Sequence, residues 1–376
     1  MKEIKAPYRF DHVGSLLRPD NLLEARKDWK SGKITAEELR LQEDKAINRC
    51  VKFQENVGLS AITDGEYRRE SFHVDFLHQI ENVTSNWDFD EVVKVGEQNQ
   101  SQQKKTMPFI PRITGKISRP GGGFEVQNFK YTSSLTEKSV KVTMPSPTMT
   151  HFRGGREAID SGAYPTVEEF FSDLALLYQD EIFDLAKAGC RYIQFDDTNL
   201  AYLCDEKMRE NVRKLGENPD MLPELYAALI NDAIARRPSD VTVCVHLCRG
   251  NAKSRWFASG GYEPVADKMF NLLQVDGYFL EYDDDRSGDF EPLRFVPKGE
   301  KRIVLGLVTT KTGQLENKDQ LKRRIEEATK FVDIDQLCLS PQCGFSSNAI
   351  GNLITENDQK QKLQLVIETA QEIWGN

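Results

Sequence analysis

The chain has 376 residues, 39% hydrophobic and 29% charged, with a formal net charge of −9. That balance is ordinary for a soluble globular protein. With no lysine- or arginine-rich block it excludes nucleic acid as a partner, because phosphate binding needs a concentrated basic face. No apolar run reaches the roughly 18 residues of a membrane-spanning helix, so no membrane partner is expected.

The opening "MKEIKAPYRFDHVGS" lacks the apolar core of a signal peptide. Seven cysteines without a secretory signal point to free thiols in a reducing, cytoplasmic setting. In chain order, short apolar runs then end in polar residues: "RFDHVGSLL", "LSAITDGE", "VKVTMPSP", "RYIQFDDTNL", "VTVCVHLCRG", "GYFLEYDD", "RIVLGLVTTK" and "QLCLSPQCGF". Stretches of helical period separate them. "ITAEELRLQEDKAINRCVKFQENVG" reads as a long helix before the second run, and "EEFFSDLALLYQDEIFDLAKAG" as another with a glycine past its end. "NKDQLKRRIEEATKFV" and "KQKLQLVIETAQEIW" read the same way. Strands alternating with helices predict βα units on a parallel sheet, and eight of them close a barrel. The expected fold is therefore α/β, a TIM (β/α)8 barrel forming one domain over residues 1–376.

Residues 73–140 depart from that pattern, with "PGGG" and short alternating runs such as "GFEVQNFKYTSS" and "SVKVTM". They are expected to form a β-rich insertion of hairpins after the second strand, or else a partly disordered one. "QNQSQQKK" is its low-complexity piece.

Barrel sites form at the carboxyl ends of the strands. In "TVCVHLCRG" strand alternation puts Cys244, His246 and Cys248 on one face. Alone this fits either a buried strand that contains cysteines or a metal site. Glu281 ends the next strand and Cys343 follows the last. One nitrogen, two sulfurs and an oxygen suit a tetrahedral zinc with an exchangeable position. Glu281 as a rim carboxylate and Cys343 as a loop residue are the plain alternatives. Cys244, one layer deeper, is expected to pack.

"VHLCRGN", "FLEYD" and "SPQCGF" resemble, in order and spacing, the zinc-binding segments of cobalamin-independent methionine synthase. "HVGSLLRP", "TDGE" and "IQFDDTN" are similar to that family's first, second and fourth strand ends. The likeness covers the catalytic, C-terminal barrel of the full-length enzymes only. It implies a zinc cofactor (Zn2+) on His246, Cys248, Glu281 and Cys343, and methyl transfer to the thiol of homocysteine to give methionine. Glu66 and Asp196 align with the acids that bind the substrate ammonium; Gly14 and Ser15 align with the segment that receives its carboxylate. Without the resemblance, Gly14-Ser15 would read as a simple turn. Asp197 is expected to point away.

The donor is expected to be 5-methyltetrahydrofolate-like or another methyl carrier. Where the family carries a histidine after the seventh strand, this chain reads "GLVTTKTGQLE". The proton donor is therefore unassigned, with His12 and Lys311 as candidates. Arg18, Arg69 and Lys311 are candidates for an anionic donor tail. A zinc alkyltransferase acting on another thiol, such as coenzyme M, is the alternative function, and a binding module with a structural zinc is a third. The included glutamate argues against the third, since structural sites prefer four Cys/His ligands. The partners expected are thus small molecules, and a homo-oligomer is compatible with the sequence, which does not set the oligomeric state.

Overall fold

A computed structural model describes residues 6–87 and 109–375. In chain order its strands are β1 (Ala61–Ile62), β2 (Glu81–Ser85), β3 (Pro111–Ser118), β4 (Ser139–Pro145), β5 (Tyr192–Asp197), β6 (Thr242–Leu247), β7 (Gly277–Glu281), β8 (Arg302–Val308) and β9 (Leu337–Pro341). β1 and β4 through β9 lie side by side in one parallel sheet of order β1-β4-β5-β6-β7-β8-β9. Helices cover its outer face. Ala36–Val57 starts at a Thr35–Glu38 capping box and stops at Gly58, whose φ of 102° ends it. Val167–Lys187, Lys318–Ala328 and Glu356–Trp374 form where the apolar period predicts them.

The first predicted strand is present only as an irregular stave. Asp11 N–H donates to Leu339 O at 3.1 Å and Leu339 N–H to Arg9 O at 2.9 Å, tying it to β9. On the other side Thr63 Oγ1 donates to Gly14 O at 2.6 Å, and Leu16 N–H to Gly65 O at 3.1 Å. Gly14, at a φ of 142°, turns the backbone away from a regular ladder. This stave closes the curled sheet between its edges, giving the (β/α)8 barrel. Tyr192, Cys244, Phe279, Val304 and Cys338 fill the barrel interior with Val13 and Ala61. Cys244 is thus a packing residue.

Between β1 and β4, β2 and β3 pair antiparallel. "GFEVQNFKYTSS", expected as an alternating extended run, is instead the helix Val126–Ser133. Its buried Val126, Phe129 and Thr132 recur at three-residue spacing. The Glu181 carboxylate holds its entry by accepting from the Phe124 and Glu125 backbone N–H groups, each at 2.8 Å. "SVKVTM" belongs to barrel strand β4, and "QNQSQQKK" lies outside the described residues. Among the described residues no helix is long and apolar enough to cross a membrane.

Candidate metal and substrate site

β6 ends with the His246 ring inside the barrel mouth, Cys248 follows it, and Cys343 comes from the turn after β9. All three are buried, and their ligand atoms lie within 4.8 Å of one another. The two sulfurs are 3.3 Å apart. His246 Nδ1 sits 3.3 Å from Phe279 O, which fixes it as the N–H nitrogen. Nε2 is left without a hydrogen-bond partner, as expected for a ring whose second nitrogen is reserved for a metal. The hydrogen bond from Cys248 holds the Cys343 thiol well below the usual cysteine range, with His246 and Lys311 adding to it. That same bond, with burial, pushes Cys248 up. Two sulfurs and one imidazole nitrogen, buried together, with the nitrogen unpartnered, fit zinc.

Glu281 is fully buried but stands outside this trio. Its Oε2 accepts from the Arg249 backbone N–H at 2.5 Å and its Oε1 from Gln342 Nε2 at 3.3 Å. Arg286 and Lys311 lie 3.5 and 3.7 Å from Oε1. Burial raises its pKa while those two cations, Lys311 first, hold it down. Lys311 is also 3.6 Å from Asp283, so it belongs to the glutamate's surroundings and not to the cavity wall.

The trio opens into a cavity of about 770 Å³, counting its mouth, whose wall also includes Ser15, Glu66 and Asp196. Glu66 has a φ of 60°, an uncommon value for a non-glycine residue. Thr143 Oγ1 donates to its Oε1 at 2.9 Å, and its buried Oε2 has no partner. Asp196 Oδ1 accepts from Gln194 Nε2 at 2.7 Å. Burial, and then Glu66, push the Asp196 carboxyl up to about 7. Arg69 stands 3.7 Å from Glu66 Oε1, but Oε2 is unpartnered, and two carboxylates on one wall make a place for a further cation. Asp197 faces the other way, accepting from Thr148 Oγ1 at 2.6 Å and Leu200 N–H at 2.8 Å. Gly14 packs against Thr143, where an added Cβ would fall 2.6 Å from Cγ2.

Several candidates lie elsewhere. His12 does not line the cavity; its Nε2 is spent on Ala61 O at 3.1 Å, and burial lowers its pKa to about 4. Arg18 donates to the carbonyls of Ser346, Asn348, Glu66 and Arg69, tying the two rim loops together. Arg69 is committed to Thr143, at 3.0 Å from its Oγ1, and to Glu125 at 3.2 Å. Neither is free for a donor tail. The outer wall comes instead from Phe72, His73, Trp87, Arg153, Tyr202 and Phe257. Sequence reasoning missed these because all but Tyr202, which ends the short helix Asn199–Tyr202, lie in loops and turns, and "FH" and "HFRGG" carry no spacing signal.

Residues 11–371 match the model of the cobalamin-independent synthase catalytic domain. The chain belongs to that family. It is 46% identical to the uncharacterized protein YxjH of Bacillus subtilis over 99% of this chain and 96% of that protein. A crystal structure from Listeria monocytogenes, provisionally assigned as a vitamin-B12-independent methionine synthase, superposes with a TM-score of 0.77 at 38% identity, covering 99% of both chains. The 5-methyltetrahydropteroyltriglutamate–homocysteine methyltransferase of Trichodesmium erythraeum is 24% identical over 92% of this chain, which spans 42% of that longer protein.

Proposed function

We propose that the protein is a zinc-dependent homocysteine S-methyltransferase, forming methionine with a 5-methyltetrahydrofolate-type donor or another methyl carrier. One observation carries the reading: the His246–Cys248–Cys343 trio and the Glu66–Asp196 acid pair line the same cavity. A thiol and an ammonium of one small amino acid could meet both. The methyltransferase named in the longer relatives supports the same reaction.

His246, Cys248 and Cys343 would hold the metal, with Glu281 as exchangeable fourth ligand. Zinc there supplies the charge that keeps a thiol deprotonated near neutral pH, where a free thiol with a pKa of about 8.5 is mostly protonated. The other residues position. Glu66 and Asp196 take the substrate ammonium, which offsets their mutual repulsion, and Ser15 at the rim takes its carboxylate. Exchange of Glu281 is supported by its ready partners in the Arg249 N–H, Gln342, Arg286 and Lys311. The acid pair also favours homocysteine over a thiol without an amino group, such as coenzyme M. All seven cysteines are free and buried, which supports a reducing, cytoplasmic setting.

Zinc analysis of the purified protein, followed by a methionine-formation assay, tests this. Cys248→Ser and Cys343→Ser should each lose most of the zinc and the activity. Full zinc retention in both variants would remove the basis of the reading.

A further inference from the structure

Ammonium binding at Glu66 has a competitor built into the protein. Arg69 is 4% exposed, and its guanidinium stands 3.7 Å from Glu66 Oε1. A cation closed on that carboxylate would cancel the charge a substrate ammonium needs. Thr143 keeps the two apart. Arg69 Nη1 donates to Thr143 Oγ1 at 3.0 Å, and the hydroxyl's one proton then goes to Glu66 Oε1 at 2.9 Å.

The Arg69 guanidinium also meets Glu125. This carboxylate is 4% exposed and belongs to the insertion, just before the helix Val126–Ser133. Its Oε1 lies 3.2 Å from Arg69 Nη2, while its Oε2 accepts from Asn128 Nδ2 at 2.9 Å. Burial works against the Arg69 cation, yet Glu125, and after it Glu66, raise its pKa. Glu125 does not line the substrate cavity. With Arg69 and Thr143 it lines a separate, smaller one of about 250 Å³. Glu125, Arg69, Thr143 and Glu66 thus form one line that ends in the unpartnered Glu66 Oε2.

We propose that Glu125 is a positioning residue for the amino-acid thiol: it holds and neutralises Arg69, so that Glu66 keeps its charge for the substrate ammonium. The inference rests on the homocysteine reading above. Without the Glu125 charge, Arg69 turns to Glu66 and takes the ammonium's place. The insertion thereby helps to set which thiols the barrel accepts, although Glu125 touches none of them. A glutamate that only secured the insertion would affect every thiol alike.

The test is calorimetric titration of the zinc-loaded protein at pH 8 with homocysteine and with 4-sulfanylbutanoate, which keeps the thiol and carboxylate but lacks the ammonium. At that pH Glu125, which burial pushes up to about 7, is ionised. Glu125→Gln keeps the shape and should lose roughly tenfold or more in homocysteine affinity. Its affinity for the analogue and its zinc content should stay as in the wild type. Adding Arg69→Gln removes the competing cation as well and should bring the preference for homocysteine back towards the wild-type value, as a coupled pair requires. Equal losses for the two thiols, an unchanged homocysteine affinity, or a double variant no better than the single one overturns the proposal. A wild-type protein that binds both thiols equally well refutes the earlier assignment of Glu66 and Asp196 to the ammonium instead.

Discussion

Asp196→Asn separates binding from stability at one position. In the folded protein this carboxyl titrates at about 7, raised by burial and by Glu66. A carboxyl whose folded pKa lies above its unfolded value costs nothing below the unfolded value. The penalty grows as pH rises towards the folded value and is complete above it. Moving an aspartate from 3.8 to about 7 corresponds to roughly 4 kcal/mol as an upper bound. Asparagine keeps the shape and removes that penalty. For a chain this long, 1 kcal/mol is worth roughly 1 °C, so the metal-free variant should melt a few degrees higher at pH 8. The gain should vanish near pH 4. Homocysteine, in contrast, loses a hydrogen bond between charged groups worth about 1.5–3 kcal/mol, or roughly 10- to 150-fold in affinity. Paired thermal melts at the two pH values and calorimetric titration of the zinc-loaded protein read both effects. Unchanged homocysteine affinity, or a melting point that falls at pH 8, would refute the assignment of this acid to the ammonium.

Two further outcomes follow from the surroundings. Lys311→Met removes the largest cationic influence on buried Glu281, and changes of this kind beside a ligand cost about 10- to 100-fold in metal affinity; competition with a chromogenic chelator measures it, and an unchanged affinity would show that Lys311 does not tune the glutamate. Gly14→Ala forces a Cβ to 2.6 Å from Thr143 Cγ2 at a φ of 142° and should destabilise the protein by about 1–3 kcal/mol, read by urea denaturation; wild-type stability would mean the stave has room to shift.

How much of this was legible in the sequence follows from which residues lie on regular strands. Alternation along β6 separates His246 from Val245 and Leu247 without any knowledge of the fold, and the ends of β5, β6 and β7 are where a barrel gathers polar groups. Gly14 was visible as a turn, but not as the residue that bends the first stave out of the ladder, because that depends on Thr143 from β4. The helix Val126–Ser133 was misread because a short segment with buried Val126, Phe129 and Thr132 fits either period until its packing partner is known. Glu281 was placed correctly at the end of β7, but no pattern announces that the Arg249 backbone and Gln342 hold its carboxylate outside the sulfur trio. The same holds for His73 and Arg153. His73 reaches the cavity because the 70–73 loop is pinned by Ser347 and Asn348 and because the Arg18 guanidinium ties Glu66 and Arg69 to Ser346. Arg18 thus serves the site without touching substrate: a charged side chain that looked like an anion hook spends its donors on four backbone carbonyls. Loops at the mouth of a barrel need such internal partners, since no ladder holds them. A charged residue in such a loop is therefore as ready to fix the cavity's shape as to line it.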